Sequence, residues 1–147
     1  MDIRPARASD LDAIRACAEA AYAPYVDRIG RKPAPMIADF GAYISAGQVH
    51  VAVSETGVLG YIIFFMREDA MFLENVAVLP EAHGRGVGRA LIAFCEAEAR
   101  SAGAQRVALY TNAKMVENLA LYPRLGYREL DRRCEDGFDR VFFEKQL

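Results

Sequence analysis

The sequence predicts a mixed α/β fold. About seven strands form one mixed, mostly antiparallel sheet with helices on both faces, in the order β-α-α-β-β-β-α-β-α-β-β. Three observations predict it. Up to Ser45, apolar residues recur at helical spacing. From Gln48 the apolar period changes to two, and turn residues separate successive apolar runs. In the middle, Glu74 to Ile92 reads as a buried strand, a glycine-rich turn and a helix.

Met1 to Pro5 is a short first strand. Ser9 and Asp12 have the spacing of a capping box, and Leu11, Ile14, Ala18, Ala21 and Tyr22 then follow one helical stripe that should end near Pro24. The charged, proline-bearing stretch from Asp27 to Pro35 reads as a loop. Met36 to Ser45 forms a second short helix, closed by Gly47. Val49, Val51 and Val53 alternate with His50, Ala52 and Ser54, and Glu55 to Gly57 turns the chain into a long apolar strand, Val58 to Met66. Arg67 to Asp69 bounds it, and Ala70 to Leu79 is the next strand. After the glycine turn, Val87, Ala90, Leu91, Phe94 and Cys95 make a buried helical face; Glu96 and Arg100 are spaced to pair on the outer side, and Gly103 caps the end. Arg106 to Tyr110 is a strand, Ala113 to Leu121 a helix ended by Gly126, and Tyr127 to Arg133 and Arg140 to Lys145 are two last strands joined through Glu135 to Gly137.

One domain, residues 1–147, is expected from this length, and a hydrophobic fraction of 53% suits a packed core. Net charge is −2 with the two signs interspersed, so nucleic acid is not an expected partner. The N-terminus lacks an apolar signal region, and charge interrupts every apolar run short of membrane-spanning length. A soluble, cytoplasmic protein with no membrane partner is expected. Cys17, Cys95 and Cys134 are odd in number and far apart, and with only His50 and His83 beside them no metal site is expected. Cys17 and Cys95 lie among apolar residues and read as core.

Gly84, Gly86 and Gly88 occupy alternate positions at the start of a helix. Such a turn directs several free N–H groups one way, where the helix dipole adds partial positive charge, and Arg85 and Arg89 add full charges. The arrangement suits a phosphate; it equally suits a surface turn with glycines for steric reasons. It is neither the triphosphatase loop nor the dinucleotide fingerprint.

The strand-turn-helix resembles the acetyl-CoA-binding motif of the GNAT family of N-acetyltransferases, Gln/Arg-x-x-Gly-x-Gly/Ala after a strand ending in Val-x-Pro. The matching residues are His83, Gly84, Arg85, Gly86, Val87 and Gly88, after Val76, Ala77, Val78, Leu79 and Pro80. His83 departs from the pattern. The resemblance implies a fold of this element order, acetyl-CoA as co-substrate with its pyrophosphate on the turn (Arg89 included), and Val76, Ala77 and Val78 lending backbone groups to pantetheine, with the Val78 N–H as oxyanion donor.

Acetyl transfer from a thioester to an amine needs a base, an oxyanion donor and an acid for the thiolate. Glu74 interrupts an apolar strand, on one face with Phe72, Val76 and Val78; it suits a general base, directly or through water, and equally a carboxylate paired with an arginine. Tyr122 lies in Leu121-Tyr-Pro-Arg-Leu-Gly-Tyr127, which looks like the family's closing segment, and the resemblance implies that it protonates the thiolate; alternatively it is a core ring. Pro123 threatens to end that helix early. Met115 stands where the family often has an asparagine; Asn118, one turn before Tyr122, can contact the cofactor arm instead, and Asn112 suits a cap. The loop Arg28 to Lys32, with Tyr22, Tyr25, Met36 and Phe40, lies where the resemblance puts the acceptor pocket; a solvated loop fits as well.

The expected function is therefore transfer of an acetyl group from acetyl-CoA to a primary amine, on a small molecule or a peptide, by direct transfer in a ternary complex. The rival is a non-catalytic acyl-CoA sensor on the same scaffold, and a nucleotide-binding protein is a third reading of the turn. A homodimer through an exposed late strand is also consistent with the sequence.

Overall fold

A computed structural model describes residues 1–147. The strands are β1 (Asp2–Pro5), β2 (Val49–Ser54), β3 (Gly57–Arg67), β4 (Ala70–Val78), β5 (Arg106–Asn112), β6 (Arg128–Glu135) and β7 (Phe138–Gln146); the α-helices are α1 (Leu11–Ile29), α2 (Phe40–Ser45), α3 (Val87–Ser101) and α4 (Val116–Arg124). The order of elements is the expected one. The strands form one seven-stranded sheet in the order β1-β2-β3-β4-β5-β7-β6. β4 and β5 pair in parallel, whereas β1 with β2, β2 with β3, β5 with β7 and β6 with β7 are antiparallel. The parallel ladder is short: it runs from Ala70↔Arg106 to Phe72↔Ala108, and Leu73 and Glu74 continue β4 beyond it.

By its contacts the chain divides into two compact units, Met1–Phe64 with Asn75–Cys95, and Phe65–Glu74 with Glu96–Leu147. The first is built on Ile14, Cys17 and Ala18 of α1, Phe40 of α2, Val49 and Val51 of β2, Tyr61 to Ile63 of β3 and Leu91 of α3, all essentially solvent-free. The second is built on Val107 and Leu109 of β5, Val141 and Phe143 of β7, and Tyr122 and Tyr127. No helix is long and apolar enough to cross a membrane. Cys17 and Cys95 are buried and in no disulfide, as expected, and burial pushes the Cys17 thiol up to about 12, with the Glu81 charge adding to it.

Four local expectations need correction. Helix α1 does not end near Pro24 but runs through it to Ile29. Pro24 faces solvent, where the carbonyl it leaves unbonded can be hydrated, while Tyr22 continues the buried stripe. The Ser9–Asp12 capping box does not form. Asp10 takes the role instead, accepting from the Arg7 N–H at 2.7 Å and from Arg4 Nη1 at 2.8 Å, because a short 3-10 turn at Ala8–Asp10 precedes α1. The predicted helix from Met36 to Ser45 is a 3-10 turn, Ala34–Ile37, followed by α2, whose N-cap Asp39 accepts from the Ala42 N–H at 3.1 Å. Glu96 does not pair outward with Arg100. It is buried, accepting from the Tyr127 hydroxyl at 2.8 Å and from Lys145 Nζ at 3.0 Å, partners that are distant in sequence.

Candidate active site

The glycine turn follows from the residues that build it. Pro80–Ala82 makes one 3-10 turn after β4, and Ala82 is buried as its anchor. Gly84 and Gly86 then sit at φ +79° and +78°, where a side chain would be strained. The first helical bond of α3 runs from the Ala90 N–H to the Gly86 carbonyl at 3.0 Å, so the N–H groups of Val87, Gly88 and Arg89 precede the ladder. His83, Gly84, Arg85, Gly86 and Arg89 are exposed, and neither arginine is neutralised by a salt bridge. The result is a solvent-facing helix start with donors and two unneutralised cations, a cradle for an anion.

The end of β4 lies beside it. A Cβ on Gly88 would stand 3.6 Å from Val78 Cγ2, an ordinary contact. A Cβ on Gly60 of β3 would stand 2.6 Å from the Ala77 carbonyl oxygen and 3.3 Å from Val78 Cα, so only glycine fits there. The Leu79 N–H bonds the Leu59 carbonyl at 2.8 Å. Main-chain groups alternate sides along a strand, so Ala77 and Leu79 face β3 while the N–H and C=O of Val76 and Val78 face the opposite edge. The Tyr22 hydroxyl reaches that edge, 2.9 Å from the Val76 carbonyl. Gly60 and Asn75, the latter 2.9 Å from the Tyr22 hydroxyl through Oδ1, are supports that the sequence reading missed, and it gave Tyr22 a different place. The isolated glycine in an apolar strand run was the available signal for Gly60. Tyr22 and Phe40 are core residues, not loop lining: Phe40 packs edge-on against Tyr61 at 5.5 Å.

In the second unit, Tyr122 stands near the end of α4, 5% exposed. Pro123 does not end the helix early; α4 runs on to Arg124. The Tyr127 N–H reaches back to the Tyr122 carbonyl at 3.0 Å and the Gly126 N–H to Pro123 at 3.1 Å, a Schellman closure. The rings of Tyr122 and Tyr127 meet edge-on at 5.7 Å, and Phe143 packs at 5.7 Å from Tyr122. Asn118 Nδ2 donates to Thr111 Oγ1 at 3.1 Å, tying α4 to β5. Asn112 closes the turn after β5, its side chain accepting from the Lys114 N–H at 2.9 Å.

Glu74 is half-buried on β4, two residues past the last pair with β5. Its carboxylate acts on Tyr110 of β5: burial, then the Glu74 charge, raises the Tyr110 phenol above its ordinary range, against the pull of Arg140. No group of His, Cys, Asp and Glu is clustered as metal ligands would be.

Known proteins resemble this chain in sequence and in fold. The aminoalkylphosphonate N-acetyltransferase of Salmonella typhimurium is 39% identical over 57 residues, which span 39% of this chain and 37% of that protein. The ribosomal-protein-alanine N-acetyltransferase of Brucella melitensis is 25% identical, with a TM-score of 0.76 over the whole of both chains. The paia N-acetyltransferase of Thermoplasma acidophilum, solved in complex with coenzyme A, superposes with a TM-score of 0.76 over 99% of this chain and 98% of its own, at 18% identity, a likeness of fold. The model of the acetyltransferase (GNAT) family matches residues 14–127, which contain the turn, the strand before it and the segment that closes on Tyr127. With a match over that much of its length, this chain belongs to the acetyltransferase (GNAT) family.

Proposed function

We propose that the chain, acting as one domain, is a cytoplasmic N-acetyltransferase that moves the acetyl group of acetyl-CoA to a primary amine by direct transfer in a ternary complex. The observation that carries this reading is the turn: two left-handed glycines, three N–H groups ahead of the helix ladder and two unneutralised arginines at one helix start. In this reading the backbone of residues 84–89 takes the pyrophosphate, with His83, Arg85 and Arg89 around it. The edge of Val76 to Val78 takes the pantetheine amides, and Asn118 contacts the cofactor arm. The Val78 N–H, on the edge away from β3, stabilises the oxyanion.

The chemistry then needs two proton transfers. The amine nitrogen attacks the thioester carbonyl carbon, forming the C–N bond. Glu74, directly or through water, accepts the proton the nitrogen loses. The tetrahedral intermediate collapses with cleavage of the C–S bond, and the Tyr122 phenol gives its proton to the departing thiolate. The relatives named above act on an aminoalkylphosphonate and on a ribosomal-protein alanine by their names, so the acceptor here is a primary amine of small-molecule or peptide origin.

Calorimetry with acetyl-CoA and with CoA, on the intact chain and on Gly86→Trp, tests the cofactor assignment. Binding that disappears in the variant supports it, and no binding to the intact chain refutes it. Release of free CoA thiol in the presence of mixed primary amines separates the enzyme from a non-catalytic acyl-CoA sensor, which binds without release.

A further inference from the structure

In the second unit, alternation along β7 puts Phe142 on the sheet face opposite Phe143 and its partner Tyr122. That face carries a row of four rings. Phe65, Phe72, Tyr110 and Phe142 follow one another across β3, β4, β5 and β7 at centroid separations of 5.8, 5.9 and 5.6 Å. Phe65, Tyr110 and Phe142 are half-exposed. Three guanidinium groups lie over the row: Arg67 at 4.0 Å from the Phe72 centroid, Arg140 at 4.3 Å from Tyr110 and Arg133 at 3.9 Å from Phe142.

Two of the three are neutralised. Arg140 meets Glu135 at 3.2 Å and Asp136 at 3.6 Å; Arg133 meets Asp131 at 3.2 Å and Glu135 at 3.7 Å. Arg67 has no carboxylate partner. Its guanidinium sits against the Phe72 ring and leaves N–H donors for a bidentate oxyanion. Glu74 follows Phe72 on the same face of the same strand, about 7 Å along it. One strand face therefore presents an unneutralised cation and, two residues on, the carboxylate to which the base role is assigned.

We propose that this row is the acceptor-binding surface and that it selects a primary amine carrying a carboxylate, phosphonate or phosphate roughly 7 Å from its nitrogen, with the anion on Arg67 and the nitrogen at Glu74. This rests on the acetyltransferase reading and narrows it to a substrate class. An α-amino acid is too short to span the two groups. An amine without the anion leaves Arg67 unpaired and gains nothing from it.

The test uses the intact chain and rigid probes. 4-(Aminomethyl)benzoate places its amine and carboxylate at opposite ends of one ring, and benzylamine is the same molecule without the anion. Calorimetry should show 4-(aminomethyl)benzoate binding at least tenfold more tightly. In a series of ω-amino carboxylates and ω-aminoalkylphosphonates of increasing length, affinity should peak at an intermediate length, and the two heads distinguish the source of the anion. Arg67→Ala should lower affinity for the anionic probe at least tenfold, with partial recovery in Arg67→Lys, whereas Arg124→Ala on α4 should not discriminate between the paired probes. Equal binding of the two benzyl probes to the intact chain, or no binding of either, overturns the proposal without any variant. An anionic amine that binds but releases no CoA thiol refutes the catalytic reading and leaves the surface standing. Equal kcat/KM for the two probes refutes the surface and leaves the catalytic reading standing.

Discussion

The Tyr22 hydroxyl of α1 stands 2.9 Å from the Val76 carbonyl oxygen of β4, and 2.9 Å from Asn75 Oδ1. One hydroxyl proton cannot serve both acceptors. Asn75 Nδ2, meanwhile, is buried without a partner. Turning the Asn75 amide over removes the conflict at Tyr22: Nδ2 donates to the Tyr22 oxygen, and the Tyr22 proton goes to Val76. Tyr22→Phe should then destabilise the protein by about 1–3 kcal/mol, because it strips the Val76 carbonyl of its donor. Tyr61→Phe removes a phenol that acts on the same Asn75 side chain but leaves the Val76 carbonyl its donor, so it should cost less than Tyr22→Phe. Urea denaturation of both variants checks the contrast; an unaltered midpoint in Tyr22→Phe would remove the pin.

At the assigned reacting groups, Tyr122→Phe should lower kcat by about 100-fold or more with little change in acetyl-CoA affinity, since the ring and its packing on Tyr127 and Phe143 remain. Steady-state kinetics beside calorimetry reads the two apart, and unchanged turnover ends the acid assignment. Glu74→Gln should flatten the acidic limb of the pH–rate profile; a limb that persists rules out Glu74 as the base.

Alanine at Gly84 or Gly86 meets no steric obstacle, only the left-handed backbone. Each substitution should cost about 1–2 kcal/mol, by strain alone or by a distorted turn. Acetyl-CoA affinity should fall in both. Retention of full affinity in both variants would show that the turn does not hold the cofactor.

Glu96 is a structural carboxylate. Glu96→Ala leaves the Tyr127 hydroxyl and Lys145 without their shared acceptor and should destabilise by about 3 kcal/mol. Thermal unfolding measures it, and Glu96→Gln should recover part of the loss through Tyr127.

Asp10 links stability to pH. Its hydrogen bond with Arg4 holds its carboxyl below the usual aspartate range; burial opposes this, and the Arg7 N–H adds to it. A depressed folded pKa contributes stability that is complete above the unfolded value, near pH 4, and is lost as pH falls towards the folded value. Asp10→Asn should therefore be less stable than the parent at neutral pH, and the difference should shrink below about pH 4. A difference that is constant with pH would show that the charge contributes nothing.

The element order was legible because period, turns and caps are local. The switch to alternation at Val49, the turns at Gly57 and Gly137 and the glycine turn before α3 are each set by residues within a few positions of one another. The same locality failed where distant groups compete. Pro24 alone reads as a helix end, but α1 packs on the Ala34–Ile37 turn and on α2 and runs past the proline to Ile29. Glu96 with Arg100 reads as an exposed pair, but Tyr127 and Lys145 draw the carboxylate inward.

By itself the sequence determined the strand-turn-helix, the segment that closes on Tyr127 and the family to which both belong. These depend on backbone conformations that only particular residues adopt, and glycine at a left-handed position writes itself into the sequence. Only the tertiary structure decided that Tyr22 reaches Val76, that Gly60 lies against Ala77, and that Arg67 sits unneutralised over Phe72 with Glu74 two residues along the same strand. Those relations arise from strand pairing and helix packing between residues far apart in the chain, where no local pattern of residue types carries the information.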